Sequence, residues 1–468
     1  MRRERSPGIK LLFAVLVGAA LLVPLLFVYA LVSDRQGQSR IAQSTITAGW
    51  GGQQVVSGPV VVIPYEAEQV ESETVGNRVV SRTVKVRREL FLAPQRQSVA
   101  TVLDPETRRK SIYSSVIYRS RISGTARFAL PDDLARQGVR PQQLLLDQAE
   151  LRFGVSDPRG LQSDAKVTAG GKPLPLQPGK GVAASGNAGF HGFLDWDGGG
   201  ALDVSWSYGL RGSHSFSLVP RGGNTEWTVT SPWPHPGFSG SFLPQSKRIG
   251  GEGFSAGYAV SNIALGQALV LLQDPGPPMV TEPGYEMGMA VPAMAPGGEI
   301  GGPSMAATIG LVEPVDLYSR VDRSVKYGFL FIGFTFLAYL MFDIVGGARV
   351  AAAEYLLTGA GLVLFFVLLL AFAEVAGFTW AYLIASAAII GLLTAYSAAV
   401  LKSWRRSGFI GALLLGLYAL LYVLLSLEAW SLLIGAVLLF LALAGVMYAT
   451  RKIDWSSVGR QGEEGGAG

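Results

Sequence analysis

The chain has 468 residues, of which 16% are charged and 49% are apolar. Soluble proteins carry about 25% charged residues, so this composition indicates a membrane protein and argues against a soluble enzyme. Cysteine is absent, which excludes disulfides, zinc ribbons, iron–sulfur clusters and thiol nucleophiles.

The first apolar stretch, residues 11–32, contains no charged residue and follows the basic segment 1–10. About 20 apolar residues suffice to cross a bilayer, whereas the apolar core of a cleaved signal peptide usually has about 7–15. The sequence therefore predicts a cytoplasmic segment at residues 1–10 and an uncleaved transmembrane helix at residues 11–32.

Five further apolar stretches near the C-terminus predict transmembrane helices. They are residues 327–345, 355–373, 378–401, 409–427 and 430–448, followed by a tail at residues 449–468. The segment 374–377 is so short that it predicts a tight turn between two antiparallel helices.

The positive charges predict the orientation of these helices. With the N-terminus in the cytoplasm, eleven Lys and Arg residues of the termini and the connecting segments lie on that side. The short segments 374–377 and 428–429 carry none, as the positive-inside rule requires of the opposite side. Both termini are therefore expected in the cytoplasm, and residues 33–326 in the periplasm. The basic residues of the cytoplasmic segments account for the net charge of +5, so this charge does not indicate nucleic-acid binding. The expected partner is the lipid bilayer.

Residues 33–326 read as a β-rich, sandwich-like domain, because short runs of β-branched and aromatic residues alternate with Gly, Pro, Asn and Asp. The predicted strands are residues 89–93, 111–130, 202–207, 214–219, 225–230 and 238–243, with short helices at 131–137 and 141–147. Residues 221–224 (RGGN) predict a hairpin loop. The Gly-, Pro- and Met-rich segment 275–310 predicts a flexible loop.

Two motifs resemble catalytic or metal sites. The G-x-S-x-G pattern around Ser255 lacks the preceding strand and the following histidine that a nucleophile elbow needs, so a turn entering a strand is the preferred interpretation. The aspartates of residues 195–203 have calcium-loop spacing, but Trp206 replaces the bidentate glutamate, which favours an Asp/Gly turn. No catalytic residue, metal ligand or cofactor is assigned.

The aromatic–proline segment 231–236 (SPWPHP) holds two residues of interest. Trp233 is expected in the core of the periplasmic domain. The three histidines of the chain do not have the spacing of metal ligands, so His235 is interpreted as a packed loop residue.

Ion-coupled transport requires ionisable groups inside the membrane. The acidic residues of the predicted spans, Asp343, Glu354, Glu374 and Glu428, lie at span ends, where they are expected to reach interfacial water. This position weakens a transport function without excluding it. Ala381 and Ala385 have the small-residue spacing of a helix-packing face.

Several segments together resemble the CreD family of bacterial inner-membrane proteins. They are residues 109–113 (RKSIY), 116–118 (VIY), 231–236 (SPWPHP), 240–244 (GSFLP), 253–255 (GFS), 314–318 (PVDLY), 323–327 (RSVKY), 381–385 (AYLIA) and 447–455 (MYATRKIDW). The segment 275–310 departs from the family pattern as an insertion.

The resemblance implies an inner-membrane protein that supports cell-envelope integrity and the envelope stress response, with effects on resistance to toxins and wall-active antibiotics. It implies no catalytic residues, so we expect a binding or structural protein, not an enzyme, whose partners are the bilayer and periplasmic envelope components. The alternative is a transporter or flippase that moves an envelope precursor through the C-terminal helices, and an enzyme of lipid or wall chemistry ranks third. The sequence names no ligand and no oligomeric state. The candidate functional or structural residues are Tyr113, Tyr118, Trp233, His235, Asp316 and Glu374.

Overall fold

The computed structural model describes residues 7–75, 78–279, 301–312, 317–344, 351–426 and 431–451. The chain forms a helical unit, made of Met1–Arg40 and Val315–Gly468, and a β-rich unit, Ile41–Pro314. Helix α1 (Pro7–Ala48) is longer than the predicted span 11–32. The polar residues after the span continue the helix, because they include neither a proline nor two adjacent glycines.

The β-rich unit contains nineteen strands in the described part of the chain and one short helix. The strands are β1 (Gln54–Val75), β2 (Arg78–Leu92), β3 (Arg96–Lys110), β4 (Tyr113–Phe128), β5 (Glu150–Val155), β6 (Lys166–Ala169), β7 (Lys172–Pro173), β8 (Gln177–Pro178), β9 (Gly189–Phe193), β10 (Leu202–Ser213), β11 (Ser215–Val219), β12 (Asn224–Ser231), β13 (Pro236–Gly240), β14 (Ser246–Gly250), β15 (Gly253–Ser261), β16 (Val270–Leu271), β17 (Pro275–Gly276), β18 (Gly301–Pro303) and β19 (Ala307–Leu311). The helix is α2 (Asn262–Leu265). The predicted helices near residues 131–147 are single 3-10 turns, at Leu134–Gln137, Pro141–Gln143 and Leu146–Gln148.

Two large mixed sheets pack face to face. The nine-stranded sheet has the order β13-β19-β11-β1-β5-β9-β8, with β2 paired to β1 and β16, and the eight-stranded sheet has the order β14-β15-β12-β3-β4-β10-β6-β7. Alternate residues of a strand such as β12 point inward and are buried. Across the interface, Phe153 of β5 packs edge-on against Trp206 of β10, with ring centroids 5.8 Å apart. The predicted sandwich-like fold is confirmed, and so is the predicted turn into a strand at Gly253, the first residue of β15.

The segment 221–224 does not form the predicted hairpin. Strand β11 pairs with β1 and β19 in one sheet, whereas β12 pairs with β3 and β15 in the other. The chain therefore crosses between sheets, and Arg221 turns inward to a buried ion pair with Asp274, 2.6 Å between Nη2 and Oδ1. A Gly-Gly turn pattern is compatible with either connection, so the local sequence could not distinguish them.

The prediction that residues 275–310 form a flexible loop is wrong at both ends of the segment. Residues 275–276 and 301–303 pair with each other as β17 and β18. Strand β19 is buried along its whole length between β11 and the edge strand β13 of the nine-stranded sheet. The intervening residues 280–300 lie outside the described part of the chain.

In the helical unit, α1 is followed by α3 (Leu317–Lys326), α4 (Gly328–Ile344), α5 (Ala352–Ala376), α6 (Phe378–Leu401), α7 (Trp404–Ser426) and α8 (Ser431–Thr450). Five stretches of the described residues are long and apolar enough to cross a membrane. They are Leu11–Ala48, Leu317–Asp343, Ala352–Ala376, Phe378–Leu401 and Trp404–Ser426. The predicted fold class, an apolar N-terminal helix, a β-rich region and C-terminal apolar helices, is confirmed.

Helix α5 runs through the predicted turn 374–377 to Ala376, so that Gly377 alone, with φ of +78°, separates it from α6. That turn is shorter than predicted because Glu374, Val375 and Ala376 continue the helix. On α6, Ala381 and Ala385 are fully buried, as expected of a helix-packing face.

Candidate functional site

Two of the candidate residues, Tyr113 and Tyr118, lie on β4. Tyr113 is the first residue of this strand and pairs with Lys110 across the β3–β4 turn. Tyr118 is fully buried, and its hydroxyl donates to the carbonyl of Ser215 at 2.8 Å. Burial raises the pKa of the Tyr118 hydroxyl well above its ordinary range, so it stays protonated and acts as a structural donor.

Trp233 and His235 precede β13, at the edge of the other sheet. Trp233 is half-buried and its indole Nε1 donates to the carbonyl of Val312 at 3.0 Å. His235 is exposed, and its carbonyl accepts from the Val312 amide at 3.3 Å. Trp233 therefore packs against the hydrophobic core without being fully buried. The prediction of a packed histidine is wrong, because an edge segment is covered on one side only and His235 lies on the open side.

The last two candidates belong to the helical unit. Asp316 lies outside the described residues. Glu374 lies near the end of α5, where its Oε1 accepts from the Tyr318 hydroxyl at 3.3 Å and lies 3.8 Å from the Arg35 Nε. Its side chain is 15% exposed, so it is less accessible than a span-end acid was expected to be.

A different group of residues forms the most distinctive polar surface of the β-rich unit. The guanidinium carbons of Arg108, Arg119 and Arg211 lie 4.2, 5.6 and 5.0 Å from the ring centroid of Trp50. We call these four residues the Trp50 surface. The indole Nε1 of Trp50 donates to the carbonyl of Tyr118 at 3.1 Å, which fixes the ring against β4.

The register of three strands assembles this surface. Arg119 of β4 lies directly opposite Arg211 of β10, and Arg108 lies on the neighbouring strand β3. Like charges directly opposite each other destabilise a sheet by about 0.2–1 kcal/mol, and the indole face offsets part of this cost through cation–π attraction. Asp104, directly opposite Arg119, and Glu106, bonded to Arg108, offset part of this charge. The three arginines still outnumber these two acids, and a surface with excess positive charge is suited to binding an anion.

Two details leave donors available at the Trp50 surface. Within the described residues, the Nε of Arg211 is buried and has no hydrogen-bond partner. Arg108 is bonded to Glu106 at 3.0 Å, in an exposed pair that solvent weakens. Guanidinium groups bind phosphate and carboxylate oxygens through paired, charge-assisted hydrogen bonds, which predicts an anionic ligand of that kind.

A groove of about 720 Å³ lies at the opposite end of the same sheet face, and its charges are balanced. At its centre Arg127 forms two hydrogen bonds to Asp203, of 2.7 and 2.8 Å, and Thr168 and Ser205 bond to each other. Because its arginine is already paired with a carboxylate, this groove is a weaker anion site than the Trp50 surface.

Among the described residues, no group of three or more His, Cys, Asp and Glu side chains could hold a metal ion. In the calcium-like segment, Asp195 pairs with Lys172 at 2.9 Å and Asp203 with Arg127. Asp197 accepts from the Gly199 amide at 2.9 Å. The segment is thus an Asp/Gly turn with two ion pairs, as the sequence favoured.

Comparisons with known proteins identify the family. The family model described as inner membrane protein CreD matches residues 6–456. The inner membrane protein CreD of Escherichia coli K12 is 31% identical over 447 residues, which cover 93% of this chain and 90% of that protein. A crystal structure of an M1 zinc metallopeptidase mutant from Deinococcus radiodurans covers 36% of this chain and 39% of its own, with 9% identity and a TM-score of 0.18, which is too low to support any inference. The chain belongs to the CreD family of inner membrane proteins.

Proposed function

We propose that this protein supports cell-envelope integrity and the response to envelope stress by binding an anionic envelope component. In this proposal the β-rich unit faces the periplasm and both termini lie in the cytoplasm. The distribution of basic residues supports this orientation, since Lys402, Arg405 and Arg406 accompany the α6–α7 connection, whereas Gly377 alone joins α5 to α6.

The Trp50 surface carries the proposal. Three arginines surround one indole, and the Nε of Arg211 is a buried donor without a partner. Buried donors are normally satisfied by protein or by ordered water, so the expected partner of this nitrogen is a water molecule or a ligand that reaches it. Phosphate is the shared chemistry of the ligand, and its sources are the headgroup of an anionic lipid or a free phosphate-bearing envelope precursor.

The position of Trp50 in the chain favours a ligand near the membrane. Only seventeen residues separate Val32, where the predicted first span ends, from Trp50. Even fully extended, such a segment reaches only about 60 Å, which sets an upper limit on the distance between Trp50 and the end of the first span.

The test is equilibrium binding of full-length protein in neutral detergent, followed by tryptophan fluorescence. Short-chain phosphatidylglycerol, short-chain phosphatidylcholine and inorganic phosphate are the probes, since they separate a lipid headgroup from free phosphate. Arg211→Gln should weaken phosphatidylglycerol binding about tenfold, because it removes one charge-assisted contact.

The matched control is Arg127→Gln, which removes the same charge from the same sheet face at an arginine that Asp203 already pairs. It should change affinity less than about twofold. Equal losses in both variants, or no binding of any anionic probe, would contradict the proposed ligand. In cells, Arg119→Gln/Arg211→Gln should lose an envelope-stress phenotype that Arg127→Gln retains at matched abundance.

Transport of an envelope precursor through the C-terminal helices is the second candidate function. One observation favours it: Asp343, expected at a water-accessible span end, is only 3% exposed. Buried ionisable groups within membrane spans commonly mark ion or substrate pathways. Complementation by Asp343→Asn at normal membrane abundance tests this candidate, and full complementation would exclude an essential carboxylate there.

A further inference from the structure

The paired strands β1 and β2 extend beyond the rest of the nine-stranded sheet. Strand β5 pairs with β1 only as far as Val62, and β16 pairs with β2 only at its last two residues. The ladder between β1 and β2 nevertheless continues to Val75. We call residues 66–75 and 78–88 the arm. In the described part of the chain no third strand pairs with it, so both of its edges carry unpaired backbone amides and carbonyls.

The arm is long for a ribbon of only two strands. It contains ten consecutive residue pairs, which make about 34 Å of ladder. Along one of its faces Ala67, Val84 and Val86 form an apolar strip in which each side chain is only half-buried. A two-stranded ribbon is marginally stable in water, and three or more strands with an apolar face are normally needed. These features indicate that a further strand adds to the arm.

The two strands of the arm carry opposite charges. Its exposed acidic residues on β1 form the acidic row, and its exposed basic residues on β2 form the basic row: Glu66, Glu68 and Glu71, and Arg82, Lys85, Arg87 and Arg88. One ion pair joins the rows within the arm, since Lys85 Nζ lies 2.9 Å from Glu66 Oε2. Glu71, Arg82 and Arg87 form no hydrogen bond or ion pair with another described residue. Both rows therefore keep charges that can bind a partner.

We infer that the arm pairs edge to edge with the arm of a second copy of this chain, with β1 of one copy beside β2 of the next. Because β1 and β2 are antiparallel within one arm, a neighbouring copy in the same orientation continues the antiparallel ladder. At the same level its basic row adjoins the acidic row of the first copy. The register is then the one that Glu68 and Lys85 have within a single arm.

Charge selects this arrangement over a two-fold pairing of identical edges. Two β1 edges would place acidic row against acidic row, and two β2 edges would place basic row against basic row, which destabilises a sheet. Charged edges prevent strand pairing when their charges have one sign, but here the two edges attract each other. Pairing of unlike edges leads to a closed ring or an open row of copies, not to a two-fold dimer. The inference does not depend on the Trp50 surface.

The test is disulfide cross-linking of single-cysteine variants of the full-length protein in native membranes, because the chain has no cysteine of its own. Val70 and Thr83 lie opposite each other in the arm, and both are exposed and uncharged. Val70→Cys (the β1 variant) and Thr83→Cys (the β2 variant) carry different tags and are produced in the same cells. A disulfide between them joins two copies. Opposite Cα atoms of paired strands are about 4.5–5.5 Å apart, which a disulfide can bridge.

The mixed product of the β1 and β2 variants should form, and products that join two copies of the same variant should not. The matched control is Val102→Cys mixed with the β2 variant, because Val102 is an exposed residue of β3 outside the arm. The mixed product should form at least about tenfold faster than this control product, since pairing raises the effective concentration of the thiols. A bifunctional methanethiosulfonate that spans about 7–8 Å detects a register shifted by two residues.

Charge reversal tests the cause of pairing. Glu66→Lys/Glu68→Lys, added to the β1 variant, should slow the mixed product about tenfold, because two basic rows then meet. Lys85→Glu/Arg87→Glu, added to the β2 variant, should restore it, which a misfolded arm could not do. If the reversed proteins do not accumulate, the cross-links of the single-cysteine variants decide.

Three results would overturn the inference. The first is a mixed product that forms no faster than the control product. The second is cross-linking of identical variants at the rate of the mixed product. The third is a mixed product that the first charge reversal leaves unchanged or that the second does not restore.

Discussion

Arg221 and Asp274 form an ion pair inside the β-rich unit, with side chains that are 3% and 7% exposed. Arg221 Nε also donates to Ser57 Oγ at 3.0 Å, and Asp274 Oδ2 accepts from the Ala183 amide at 2.5 Å. The pair thus connects the crossover between the two sheets to strand β1 and to the 3-10 turn at Ala183–Ser185.

Arg221→Met should lower the free energy of unfolding by about 3–5 kcal/mol, because it leaves the Asp274 carboxylate buried without a counter-charge. Urea unfolding of the full-length protein in detergent, followed by tryptophan fluorescence, measures the change. Arg221→Met/Asp274→Leu should recover part of the loss, since neither charge is then buried. If the double variant is less stable than the single one, the ion pair is not the cause.

Asp157 should make stability depend on acid pH. The Arg159 side chain bonds to both carboxylate oxygens at 2.8 Å and holds the pKa of Asp157 at about 2, against an ordinary value of 3.8. Since the folded-state pKa is depressed, this contribution is present above the ordinary pKa and is lost as the pH falls from about 4 to 2.

The measurement is the difference in urea midpoint between wild type and Asp157→Asn. It should be clear near about pH 6 and should shrink below about pH 3. Exposed Asp147→Asn is the control and should change the midpoint little at either pH. A difference for Asp157→Asn that does not change with pH would contradict the role of the charge.

Trp233→Ala should reduce stability by about 2 kcal/mol, less than the 3–5 kcal/mol typical of a fully buried tryptophan, because the indole is half-buried. Trp227→Ala provides the comparison: Trp227 is 1% exposed and should show the full loss. His235→Ala should change stability by less than about 0.5 kcal/mol. Loss of an envelope-stress phenotype in His235→Ala, at normal abundance, would instead indicate a ligand site at this edge.

Glu374→Gln should complement an envelope-stress phenotype nearly fully. The amide oxygen still accepts from Tyr318, and the Arg35 contact is long, at 3.8 Å, and partly exposed, so its loss costs less than about 1 kcal/mol. Asp343→Asn should behave differently, because the Asp343 side chain is only 3% exposed. Loss of function in Glu374→Gln at normal abundance and topology would favour a transport function that uses both acids.

Topology is tested by reporter fusions after Arg406 and after Arg451. Both sites are expected to report cytoplasm, because the basic residues of the connecting segments lie on the side of the N-terminus. Activity of a periplasmic phosphatase fused at either site would contradict the six-span arrangement.

Hydropathy and alternation were sufficient to predict the apolar helices and six of the nineteen described strands, because both signals are local. The Trp50 surface was not predictable in this way. Arg119 and Arg211 are far apart in the chain, and only the pairing of β4 with β10 brings them to one indole. The same limit explains why a hairpin was wrongly predicted at residues 221–224. The local sequence does not show that β11 and β12 pair with other strands.

Burial was the least predictable property. Trp233 was expected in the core on residue type alone, but its place at a sheet edge leaves it half-buried. Asp343 was expected near water because of its distance from the middle of α4, yet neighbouring helices cover it. In both cases the deciding neighbours come from elsewhere in the chain.

The order of strands also has a consequence for biosynthesis. Strand β1 leaves the ribosome among the first residues, yet its neighbour β11 and the adjoining β19 end only at Val219 and Leu311. Until then the growing chain exposes an apolar strand with unpaired amides on one side, which is prone to aggregate. The β-rich unit thus cannot complete its larger sheet before almost all of it has been synthesised, and we expect chains truncated before Ala307 to aggregate more than the full-length chain.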